Sequence, residues 1–106
     1  MRQTDPLLAE IAALLEGAEG RDDPSRLERT LTDGYARALM LEAERLRLER
    51  QIGELAVAAD QGDDGRRREL ASLARMLKLR QGDIGALRAQ LGRLHRRHSV
   101  AVRARA

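Results

Sequence analysis

Leu41-Glu-Ala-Glu-Arg45-Leu-Arg-Leu48-Glu-Arg-Gln-Ile52-Gly-Glu-Leu55 decides the fold. Leu41, Leu48 and Leu55 recur every seven residues, and Arg45 and Ile52 stand in the second seven-residue series between them. A period of seven filled from two positions is the a/d pattern of a helix that buries one narrow seam. Carried toward the N-terminus, the two series add Leu27 and Gly34 to the first and Leu31 and Ala38 to the second. The pattern returns farther along the chain, with Leu70, Leu77, Ile84, Leu91 and His98 in one series and Leu73, Arg80, Leu87 and Leu94 in the other. Between the two runs lies Asp60-Gln-Gly-Asp-Asp-Gly65, which has no apolar residue and two glycines. Such a segment reads as a turn.

Folding the chain back on that turn pairs residues whose numbers add to 125, and both seven-residue series obey this rule together. It sets Leu55 against Leu70, Ile52 against Leu73, Leu48 against Leu77 and Leu41 against Ile84. Small Gly34 and Ala38 meet Leu91 and Leu87, the alternation of small and large that interdigitated layers favour. The expected fold is therefore all-α, an antiparallel helical hairpin (a coiled coil) of two long helices.

A shorter apolar stripe, Leu7, Leu8, Ile11, Leu14 and Leu15, precedes them and predicts a short N-terminal amphipathic helix. The expected single domain, 1–106, reads as helix 5–16, loop 17–24, long helix 25–59, turn 60–65, long helix 66–98 and a frayed basic tail 99–106. Composition agrees with this class. The 106 residues hold one aromatic, Tyr35, and are led by Ala, Leu, Glu and Arg, so burial must come from aliphatic side chains on helices.

Several function classes are disfavoured at once. The absence of cysteine removes disulfides, thiolate metal sites and thiol nucleophiles. No apolar run reaches the roughly 18 residues of a membrane span, and the first residues carry no signal-peptide pattern, so a cytoplasmic protein without membrane contact is expected. No phosphate-binding glycine loop or nucleophile–base pair stands out, and neither an enzyme activity, a cofactor nor a small-molecule substrate is expected. His95 and His98 are spaced to share a helix face, but Arg93, Arg96 and Arg97 around them oppose a cation, and no metal is expected.

Three groups of residues remain as candidates for function. Leu39, Met40, Leu46, Met76 and Leu79 are apolar but lie off the seam, and they form the candidate interaction face. A helix apolar on more than one side is normally covered on more than one side. Arg45 and Arg80 fall opposite each other in the seam, a polar layer or anion site with Glu42, Glu44, Glu49 and Asp83 close in sequence. The third group follows from charge. Residues 1–60 carry eight basic and thirteen acidic side chains, whereas residues 61–106 carry twelve and four. Arg88, Arg93, Arg96, Arg97, Arg103 and Arg105 are the candidate polyanion contacts, with no acid among them.

These features point to a non-enzymatic helical-hairpin module for interaction or assembly. Its expected partner is a second copy, giving a homodimer, or another protein. The alternative is a small protein that binds nucleic acid or another polyanion through its arginine-rich C-terminal end.

Overall fold

A computed structural model describes residues 6–59 and 64–105. Every regular element among them is helical: α1 (Pro6–Glu16), a single 3-10 turn at Glu19–Arg21, α2 (Pro24–Ala59) and α3 (Asp64–Arg105). None of these helices is long and apolar enough to cross a membrane.

Local chemistry explains the ends. Gly17 N–H donates to the Leu14 carbonyl at 3.3 Å, closing the last turn of α1. Asp23 caps α2: its Oδ1 accepts from Ser25 N–H at 3.1 Å, and its carbonyl accepts the first helical bond, from Leu27 N–H at 3.0 Å. Pro24 takes the first helical position, where a missing N–H costs nothing. Pro24 thus belongs to the helix and not to the loop expected over 17–24.

Two further boundaries differ from the expectation. Asp64 and Gly65 already belong to α3, and the rest of the expected turn, 60–63, lies outside the described residues, as does Asp5 at the front of the first helix. At the other end, α3 does not stop at His98 with a frayed tail but continues to Arg105. The series Leu87, Leu94 runs on to Ala101, which is buried, so the seam still stabilises this last stretch. No glycine or proline interrupts it, and Arg103 and Arg105 complement the negative end of the helix dipole.

The chain divides into two compact units. The first comprises residues 1–38 and 86–106, and the second comprises residues 39–85. In the first unit the core is Ile11 of α1, Leu27, Leu31 and Ala38 of α2, and Leu87, Leu91, Leu94 and Ala101 of α3. Gly34 is required there by close approach, because a Cβ at this position would collide with the Leu91 side chain. Thr30 is buried beside this core, with its hydroxyl 3.0 Å from the Arg26 carbonyl and 3.3 Å from Glu10 Oε1.

In the second unit, Leu41, Leu48 and Ile84 are the buried apolar side chains among the described residues. Ile52, Leu55, Leu70, Leu73 and Leu77 occupy the same seven-residue series but are only half-buried. An open cleft lined by Gln51, Glu54 and Leu55 of α2 and Arg66, Glu69 and Leu73 of α3 runs beside them.

Candidate interaction surfaces

The apolar candidates all belong to the second unit. Leu39, Met40, Leu46, Met76 and Leu79 are between 48% and 64% exposed. Leu39, Ala43 and Leu46 follow the i, i+4, i+7 spacing of one helix face, and Val57 continues it at 72% exposed. Val57 is not among the residues singled out from the sequence. Its signal is the same three-and-four spacing, broken by the hydrophilic Arg50 and by Gly53. Met76 and Leu79 stand three apart on α3, one turn from each other.

Arg45 and Arg80 also lie in the second unit, with side chains 36% and 34% exposed. Arg80 is held by two acids. Its Nη1 donates to Asp83 Oδ2 at 3.4 Å, and its Nε lies 2.9 Å from Glu44 Oε2. The Nε–H is not aimed along that line, so this second contact is an ion pair without a directed hydrogen bond. Arg45 Nε lies 3.7 Å from Glu49 Oε1, beyond hydrogen-bond range. Each guanidinium thus turns toward acids on the helix surface while its aliphatic stem lies along the half-buried seam.

In the first unit the six C-terminal arginines separate into distinct roles. Arg97 is 9% exposed and makes five hydrogen bonds. Its Nε and Nη2 donate to Asp22 Oδ2 and Oδ1 at 2.8 and 2.7 Å, a bidentate pair. Its Nη1 donates to the carbonyls of Leu14 and Leu15 at 3.0 and 2.9 Å, and Nη2 also donates to the Gly17 carbonyl at 2.9 Å. A guanidinium has five N–H donors, so every one is used. These carbonyls lie at and just past the end of α1, where helical partners run out, and that of Leu14 also accepts from Gly17 N–H. Arg97 therefore ties α1, the α1–α2 connection and α3 together, and its expected role as a polyanion contact is corrected.

Arg105 lines a shallow cleft with Val102 of α3 and Asp23, Pro24 and Ser25 at the start of α2. Arg88 is engaged within the chain. Arg93, Arg96 and Arg103 are exposed on α3. The second unit thus presents exposed aliphatic and thioether side chains, and the first presents exposed arginines along α3. No family model matches the chain, and neither does any curated protein or solved structure.

Proposed function

We propose that this chain is a non-enzymatic interaction module. Its two long helices form an antiparallel coiled-coil hairpin with a short amphipathic helix packed at one end. It assembles through the apolar outer surface of residues 39–85, with a second copy of itself as the expected partner.

The pairings within each unit support the hairpin reading. Gly34 against Leu91 is one of the couples whose numbers add to 125. In the second unit, the Glu44–Arg80 ion pair and the cleft shared by residues 51–55 and 66–73 follow the same reversed order.

The observation that carries the assembly reading is the contrast in burial. The first unit buries Ile11, Leu27, Leu87, Leu91 and Leu94 almost completely and leaves Tyr35, Val100 and Val102 partly exposed, whereas the second leaves five Leu and Met side chains about half exposed, and Val57 more so, around three buried ones among its described residues. Finishing the burial of a half-exposed Leu or Met is worth about 1 kcal/mol, so ten such side chains from two copies supply about 10 kcal/mol. Association costs about 4–15 kcal/mol, which places a dimer in reach without excess. The charges of residues 39–85 are also balanced, nine basic against nine acidic, so two copies meeting there face no net repulsion.

Sedimentation equilibrium of the full chain tests this. A mass near twice 11.8 kDa at tens of micromolar is expected, with Leu39→Glu/Leu46→Glu returning the protein to a monomer that keeps its helical circular dichroism. A wild-type chain that stays monomeric at that concentration refutes self-assembly.

A further inference from the structure

We propose that α3 of the first unit carries a contact surface for the phosphate backbone of a nucleic-acid duplex, made by Arg93, Arg96 and Arg103. This goes beyond the assembly reading and does not rest on it. At 100° per residue the three positions fall within about 80° of one another, and over about 15 Å of helix length. All three are exposed. The same face holds Ala89, Gly92, Ser99 and Val100, and the Arg96 guanidinium lies over Gly92, 3.8 Å from where a Cβ would stand.

Charge and chemistry then select the occupant. No acid follows Asp83 in the chain, so α3 supplies no carboxylate to neutralise this face. Of the acids elsewhere in the unit, Asp22 is held by Arg97, Asp23 caps α2 and Glu10 lies beside Thr30, while the exposed Glu16, Glu28 and Asp33 belong to α1 and α2 and not to α3. An acidic protein would need an apolar anchor to bind here, because hot spots are desolvated aromatic and aliphatic contacts. A membrane surface would need an apolar wedge. The face offers Val100 alone. A phosphate backbone needs neither, since its binding is dominated by release of counterions from regularly spaced charges. A duplex also presents a groove wide enough for one α-helix. With no aromatic residue on this face to stack on a base, the contact is independent of sequence.

Arg97 is buried against Asp22, Arg105 lines the cleft at the start of α2 and Arg88 is engaged within the chain, and these three are left out of the surface. The count of three fixes the test. Fluorescence anisotropy of the full chain with a labelled DNA duplex of about 20 base pairs, across a salt series, should give a log–log slope of about −2.7. Arg93→Gln/Arg96→Gln should reduce the slope to about −0.9, and Arg103→Gln alone to about −1.8. Arg88→Gln should leave it unchanged. All are surface substitutions, and an unaltered thermal melt confirms that each variant is folded. Absence of binding at low salt, or a slope that the double variant leaves unchanged, overturns the proposal. Competition by polyglutamate or by anionic phospholipid vesicles that is stronger than by unlabelled duplex also overturns it, and assigns the face to an acidic protein or to a membrane surface respectively.

Discussion

Removing Asp22 or Arg97 tests the central contact of the first unit. Asp22→Ala leaves a guanidinium that is 9% exposed without its counter-charge and with two N–H groups unbonded. Breaking a buried ion pair from one side costs about 3–5 kcal/mol. Arg97→Leu is of similar size for a different reason. It strands the Asp22 carboxylate, whose side chain is 7% exposed, and releases the carbonyls of Leu14, Leu15 and Gly17. Total stability for a chain of this size is about 5–15 kcal/mol, so either loss is a large share of it.

The double variant strands neither charge and should cost less than the two singles added together, by about 2 kcal/mol or more. Urea unfolding followed by far-ultraviolet circular dichroism measures all three. The amplitude carries a second result: α1 has 11 residues against 36 in α2 and 42 in α3, so release of α1 alone removes about an eighth of the helical signal before the main transition. Singles that cost less than about 1 kcal/mol, or that add within about 0.5 kcal/mol, would refute the clamp.

Two further outcomes follow from packing and from the polar layer. Gly34→Ala should destabilise by about 1–2 kcal/mol, since collision with Leu91 outweighs the roughly 1 kcal/mol of helix propensity that alanine brings. Gly82→Ala and Gly85→Ala have open space around the new methyl group and should each stabilise by about 0.5–1 kcal/mol in the same urea assay. Arg45→Leu/Arg80→Leu should raise the thermal midpoint, because the ion pairs lost are about one-third exposed and worth about 0–1 kcal/mol each, while each new leucine extends the apolar seam. A lowered midpoint would show that those pairs outweigh the burial.

The seam was legible because it is a local pattern repeated. Leu27, Leu31, Ala38, Leu41, Leu48, Ile84, Leu87, Leu91 and Leu94 stand in the two seven-residue series, and all are buried. The off-seam residues Leu39, Met40, Leu46, Met76 and Leu79 were legible by the same logic read in reverse, and all are exposed. The Arg97–Asp22 contact was not legible. It joins residues 75 apart, and nothing in the spacing of either one names the other. One signal existed: Asp23 suffices to cap α2, which left Asp22 as a second acid with no local task. Arg97 was grouped with its neighbours because sequence shows charge but not direction. On the helix it stands four residues from both Arg93 and Ala101, between the exposed face and the seam, and only the contact with Asp22 fixes which way it turns. The end of α3 was misplaced for a related reason, since Ala101 continues the seam as a residue too small to register as a hydrophobic signal.

Nineteen of the twenty basic residues of this chain are arginine, a uniformity that hides which positions depend on it. Lysine at position 97 would keep the charge, but a single ammonium nitrogen has three donors and no planar fork, so it could serve at most three of the five acceptors now held. At Arg93, Arg96 or Arg103, a lysine would present the same unit charge to a phosphate. Through sequence drift, position 97 should therefore stay arginine and change only together with position 22, while the outer basic positions exchange freely between the two residue types. The fold thus ties position 97 to position 22 by geometry and holds Arg93, Arg96 and Arg103 by charge alone.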